Sequence, residues 1–241
     1  MVELPKVIGH RGAAASAPEN TLESIRRARL LGARWVEFDT KLTADGTVIL
    51  MHDETLERTT NGRGRVARTP CRAIAKLDAG RWFGPAFAGA RVPRLEAALA
   101  LLIELDLAAN IEIKPCPGRE RETAAAVVRL VRRSWPARRD WPLLTSFSIP
   151  SLETARDLAP ELPRGLLAWG NPELWRRECG RLGCQTFHCS SRFLPADLGM
   201  VRRAGLGLAV YTVNSRDEAR QLLSRGVDCI ITDRPDTILA A

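Results

Sequence analysis

The sequence predicts an α/β protein of the (β/α)₈ TIM-barrel class, with a small insertion at about residues 54–92 over the C-terminal mouth. Eight short apolar runs of strand character alternate with amphipathic helical patterns along the chain. Glycine follows several of those helical patterns, at Gly32, Gly183, Gly205 and Gly226, as expected of helix C-termini. A doubly wound open sheet is the alternative, but no GxGxxG follows the first strand to support it.

The strand candidates are 6–11, 35–39, 109–113, 143–147, 165–169, 185–189, 207–213 and 228–232. Helices are predicted over 21–32, 94–106, 119–134, 151–159, 172–182, 196–204 and 215–225, with a short tail near 236–240. Residues 35–53 read as a β-hairpin, because Asp45-Gly46 is a strong two-residue turn signal between β-rich flanks. That turn pairs Ala44 with Thr47 and sets Asp39 opposite His52. The segment 54–92 is rich in glycine, arginine and turn formers and is too long for an ordinary connection, hence the insertion. Trp82, Phe83 and Phe87 are expected to supply its core; a wall of the substrate cleft is the alternative. Residues 1–241 thus read as one domain.

Composition narrows the function. The chain is 45% hydrophobic, and its longest apolar stretch, 97–103, is too short to span a bilayer, so no stable membrane insertion is expected. MVELPKVIGH has no apolar signal core, which makes the cytoplasm the expected location. Six cysteines without CxxC or zinc spacing read as reduced thiols. The formal net charge of +8 comes from scattered arginines without an aromatic stripe, so a solvated basic surface is preferred over nucleic-acid binding.

In such a barrel, chemistry gathers at the C-terminal strand ends. The first strand ends in His10-Arg11, the second holds Glu37 and Asp39, and the third holds Glu112 and Lys114. Side chains alternate along a strand, so Glu37 shares a face with Asp39 and Glu112 with Lys114, while Phe38, Ile111 and Ile113 turn to the helices. Neighbouring strands lie roughly 4.8 Å apart, which makes three carboxylates converge. A divalent cation relieves their repulsion, and oxygen ligands favour Mg²⁺ or Ca²⁺ over zinc. A network neutralised by Arg11 and Lys114 is the alternative. His10 and His52 meet this mouth and fit general acid and base roles. Arg11 and Lys114 fit a phosphate. His188 is placed on the mouth or the barrel wall. In PENTLES, 18–24, Asn20 and Glu23 read as a helix N-cap and its partner, leaving Glu19 to orient His10 or Arg11 or to reach the metal. Asp53 reads as a turn or insertion anchor outside the chemistry.

HRG at 10–12, PENT at 18–21, EFD at 37–39, DG with HD across 45–53, IEIKP at 111–115, SF at 146–147, YTVN at 211–214 and ITD at 231–233 together resemble the glycerophosphodiester phosphodiesterase family nearly end to end. NGRG at 61–64, LDAG at 77–80 and PELPRGLL at 160–167 further resemble its bacterial cytoplasmic members. The resemblance implies hydrolysis of small-molecule glycerophosphodiesters to an alcohol and sn-glycerol 3-phosphate with a divalent cation. It makes Glu37, Asp39 and Glu112 the metal ligands, His10 and His52 the acid/base pair, and Arg11 and Lys114 phosphate-binding residues. Tyr211 stands where many members carry Trp and keeps an aromatic wall. Two rivals stay open: a phospholipase-type phosphodiesterase acting on lysophospholipids, and a non-catalytic glycerol-phosphate-binding barrel. Whether water or the glycerol 2-hydroxyl attacks is open, as are the preferred head group, the choice of cation and assembly as a monomer or homodimer.

Overall fold

The computed structural model describes residues 2–168, 172–195 and 197–240, with the side chains of 172–174 left undescribed. Residue 169, the expected end of one strand, and residue 196, the expected start of one helix, lie outside the described residues. Eight parallel strands close a barrel: β1 (Val7–Gly9), β2 (Trp35–Leu42), β4 (Ala108–Ile113), β5 (Leu143–Ser146), β6 (Arg164–Ala168), β7 (Thr186–Ser190), β8 (Gly207–Tyr211) and β9 (Cys229–Thr232). Closure comes from β1, which pairs with β9 through Val7–Ile230 and with β2 through Gly9–Val36. The ninth strand, β3 (Val48–Leu50), runs antiparallel to the end of β2.

Helices α1 (Leu22–Leu30), α3 (Leu95–Glu104), α4 (Glu120–Ser134), α5 (Ile149–Leu158), α6 (Pro172–Leu182), α7 (Gly199–Arg203), α8 (Arg216–Ser224) and α9 (Pro235–Leu239) follow the strands, and α2 (Cys71–Ile74) is a single turn in the insertion. The expected alternation is therefore present. Phe38, Ile111 and Ile113 are fully buried among helix residues such as Ile25, Leu99 and Val127. On the far side, Phe187 stacks on Trp175 of α6 with ring centroids 4.8 Å apart. The polar faces of the same strands are left to the barrel interior and mouth. All six cysteines are free and buried.

The hairpin register differs from the expectation by one residue. Thr43 N–H donates to Thr47 O at 3.0 Å, so the loop has three residues, with Gly46 in the left-handed region at φ +75°. Thr40 consequently pairs with Leu50, and Asp39 O accepts from Met51 N–H, not from the residue opposite in a two-residue turn. Continued pairing would carry His52 to the helix side. Pairing instead runs out after the Met51 N–H bond, and the bend that follows returns His52 to the mouth.

The insertion has an aliphatic core, which corrects the aromatic one expected. Leu56, Val66, Cys71, Ile74, Ala79 and Val92 pack with Ile49 and Met51. Trp82 is 42% exposed and forms an edge-to-face ladder with Phe83 and Phe87 on the surface, away from the cleft. LDAG is a staple for this segment: Asp78 accepts from the N–H groups of Gly80, Arg81 and Gly89. A Cβ on Gly80 would lie 1.9 Å from Phe87 O. Gly80→Ala is therefore expected to cost about 1–3 kcal/mol, seen as a lower midpoint in urea; an unchanged midpoint would show that the 78–89 loop yields freely.

Candidate active site

The strand ends deliver polar groups to a cleft of about 210 Å³ lined by residues that include His10, Arg11, Glu37, His52, Glu112 and Lys114. Tyr211 and Phe147 form one wall, their rings edge to face at 6.2 Å. No protein group among the described residues meets the Tyr211 hydroxyl.

Parallel pairing of β2 with β4 sets Asp39 directly beside Glu112 and Glu37 beside Asn110. Carboxylate oxygens of Glu37, Asp39 and Glu112, all buried, come within 4.8 Å of one another. Burial and the neighbouring acids push Glu37 well above the usual carboxylate range and Glu112 up to about 7. Burial acts the same way on Asp39, but Arg11 and Lys114 outweigh it and hold that carboxyl down. Lys114 Nζ donates to Glu112 Oε1 at 2.8 Å and stands 3.6 Å from Asp39 Oδ1. Three buried acids against two cations, with oxygen atoms converging from adjacent strands, fit a hard divalent cation. Glu37, Asp39 and Glu112 are the residues that could hold it.

Asn20 does not cap α1. Thr21 does, its hydroxyl accepting from Ser24 N–H at 3.2 Å. Asn20, at φ +56°, donates from Nδ2 to Asp39 Oδ2 at 2.8 Å and accepts from Asp39 N–H at 3.0 Å. A capping signal one residue early thus concealed a residue that orients an acid of the cluster. Glu19 takes one of the roles left open for it, accepting from Arg11 Nη1 at 2.7 Å. Arg11 Nε faces Asp39 Oδ2 at 3.4 Å, and its backbone N–H donates to Glu37 Oε2 at 2.9 Å.

Each mouth histidine is held by a carboxylate. His10 Nδ1 meets Asp233 Oδ1 at 2.7 Å, and His52 Nδ1 meets Asp53 Oδ1 at 2.7 Å. Burial raises Asp233, yet its bond to His10 wins and keeps it low; Arg58, followed by His52, holds Asp53 down to about 2. An ionised carboxylate only accepts, so both Nδ1 atoms carry hydrogen, which leaves Nε2 as the atom where each ring can gain or lose a proton. His10 Nε2 points to Glu37 Oε2, 3.9 Å away. Burial, reinforced by Arg11 and Lys114, lowers the His52 pKa despite Asp39 and Asp53. Asp53 therefore anchors the insertion through Arg58, as expected, but it also holds His52, so it does not stand apart from the site.

Asp233 is itself fixed by Asn214, which donates from Nδ2 to Asp233 Oδ2 at 2.7 Å and accepts from Asp233 N–H at 2.9 Å. These two residues explain YTVN and ITD, whose polar members sit just past β8 and β9; that position at the mouth was the available signal. His188 shares the interior face of β7 with Thr186, whose Oγ1 lies 2.9 Å from His188 Nε2. It is sealed from solvent, does not line the cleft, and burial pushes it down to about 3.

The glycerophosphoryl diester phosphodiesterase family model matches residues 10–237. The chain is 36% identical over 239 residues to a glycerophosphodiester phosphodiesterase of Caldanaerobacter subterraneus, covering 97% of this chain and 96% of that one. It is 33% identical over 250 residues to the Bacillus subtilis glycerophosphodiester phosphodiesterase, covering 95% and 83%. An Oleispira antarctica phosphodiesterase, solved in complex with the product sn-glycerol-3-phosphate, superposes with a TM-score of 0.95 at 35% identity over 98% of this chain and 96% of that one. With the barrel, the acidic cluster and the carboxylate-held histidines in place, these matches show that the chain belongs to the glycerophosphoryl diester phosphodiesterase family.

Proposed function

We propose that the protein hydrolyses glycerophosphodiesters to an alcohol and sn-glycerol 3-phosphate, with a divalent cation at Glu37, Asp39 and Glu112 and with His10 and His52 as proton carriers. The observation that carries this reading is the meeting, in one cleft, of three buried carboxylates and two histidines each held at Nδ1 by an aspartate. When bound, the cation would neutralise phosphate charge and act as a Lewis acid. Arg11 and Lys114 flank the same position and balance the remaining anionic charge. One Nε2 takes the proton of the attacking hydroxyl, from water or from the glycerol 2-position. The other histidine, in its protonated form, gives a proton to the departing alkoxide. Phe147 and Tyr211 offer an apolar wall to the glycerol or head group. In this reading the whole chain acts as one catalytic domain, the 54–92 insertion supporting one side of the mouth.

The test is release of glycerol 3-phosphate from several glycerophosphodiesters with Mg²⁺, Ca²⁺ or EDTA, run beside a lysophospholipid. Cation-dependent release from the water-soluble diesters is the expected result. Faster turnover of the lysophospholipid would overturn the small-substrate assignment, and tight binding of glycerol 3-phosphate without turnover would make the protein a binder.

A further inference from the structure

Arg58 belongs to the insertion and lines no part of the cleft, yet it joins the two halves of the site. Its guanidinium grips Glu19 with Nη1 on Oε2 at 2.7 Å and Nη2 on Oε1 at 2.8 Å. The same group grips Asp53 with Nε on Oδ2 at 2.6 Å and Nη2 on Oδ1 at 3.1 Å. Two bidentate carboxylate contacts on one guanidinium fix both acids in rotation as well as position. Glu19 Oε1 also receives Arg11 Nη1, and Asp53 Oδ1 also receives His52 Nδ1, each at 2.7 Å. The result is an unbroken chain Arg11–Glu19–Arg58–Asp53–His52.

We propose that Arg58 is a positioning residue through which the insertion holds the Arg11 guanidinium and the His52 ring in register across the mouth. The inference rests on the roles given to Arg11 and His52 under the proposed function. A purely structural role fits poorly. The Arg58 side chain is 45% exposed, and exposed ion pairs contribute little to stability. Among the described residues, loss of Arg58 leaves Glu19 bonded to Arg11 and Asp53 bonded to His52, each by one side-chain hydrogen bond about which it can turn. Lysine at this position keeps the charge but cannot span two carboxylates with paired donors.

Arg58→Ala is expected to lower kcat/KM by about 10- to 100-fold, the range for lost outer partners of a site. The loss divides into a lower kcat through His52 and a higher KM through Arg11, with Arg58→Lys recovering only part of it. Thermal midpoints of both variants stay close to the parent. In a Glu19→Gln/Asp53→Asn background, Arg58→Ala adds less than about a twofold loss, because its arms are already cut. Two further measurements do not need turnover. Affinity for sn-glycerol 3-phosphate reports the Arg11 arm, and the ¹⁵N imidazole spectrum, tractable with 3 histidines, reports the Nδ1–H form of His52. Weaker binding with a smaller Nδ1–H population in Arg58→Ala supports the proposal. Parent-like values of both overturn it, as does an undiminished loss in the double-variant background. A parent protein that binds sn-glycerol 3-phosphate but turns over no diester contradicts the proposed function instead, and the binding and spectral measurements still decide on Arg58.

Discussion

Turnover of glycerophosphocholine is expected to fall by about 10²- to 10⁴-fold when either His10 or His52 is replaced by alanine. Both rings are aimed by carboxylates, Asp233 for His10 and Asp53 for His52, so each presents a defined Nε2. The double variant should lose little beyond the weaker single one, because proton removal and proton delivery serve one displacement and their losses do not add. The leaving group separates the roles. A p-nitrophenyl diester departs without protonation, so the variant lacking the general acid recovers on that substrate while the variant lacking the base stays slow. Protonation sets a further sign. Burial, Arg11 and Lys114 lower the His52 pKa below its ordinary 6.5, so His52 stays neutral at pH 7 and charges only under more acidic conditions. If His52 is the base, the acid limb of kcat/KM falls below about 6.5, and Asp53→Asn, which removes a favourable anion, moves that limb further down. Near-parent turnover of glycerophosphocholine in either alanine variant would sink the assignment.

How much of this was readable from the sequence follows from the range of the interactions. The barrel was legible because strand and helix periodicities are local, and the interior face of β2 could be counted from Glu37 to Asp39 without knowing any partner. Convergence with Glu112 followed from strand adjacency, and the observed pairing is Asp39 with Glu112. The hairpin register failed at a single backbone angle: Gly46 is left-handed and ends a three-residue loop. His52 still reached the mouth because pairing ended after Met51, which the turn dipeptide does not encode. The supporting residues escaped for a different reason. Asp233 meets His10 across 223 positions and Arg58 meets Glu19 across 39, and no local pattern marks such pairs. Asn20 was visible, but its preference for helix starts gave it a sufficient local explanation. Trp82, Phe83 and Phe87 show the limit of hydrophobicity itself, which distinguishes apolar from polar but not an insertion core from a surface ladder.

Removal of divalent cations is expected to lower turnover by at least about 10²-fold, a loss restored by Mg²⁺ or Ca²⁺ and equal in kind to that of Glu112→Gln. The acidic cluster also gives this dependence a pH signature in stability. An unfolded glutamate titrates near 4.3, whereas burial and Asp39 hold Glu112 up to about 7, and Glu37 is raised by the same causes. Between these values the folded cation-free protein binds more protons than the unfolded chain. The stability contribution of Glu37 and Glu112 is therefore greatest below about pH 4.3 and declines as pH rises through about 7, where the protons leave and the carboxylates repel, whereas Asp39, held down, contributes with the opposite sign at lower pH. A divalent cation competes with those protons, so it binds more weakly at pH 5 than at pH 8. At a concentration near 100 times its Kd it adds about 2.7 kcal/mol, or a rise of about 5–10 °C in Tm for a chain of this size. The checkable pattern is a cation-induced Tm shift that grows from pH 5 to pH 8 in the parent. In Glu112→Gln the shift collapses, while the cation-free protein becomes more stable than the parent at pH 8, because one repelling carboxylate is gone. A shift larger at pH 5 than at pH 8, or one that survives in Glu112→Gln, would place the cation elsewhere than on Glu37, Asp39 and Glu112.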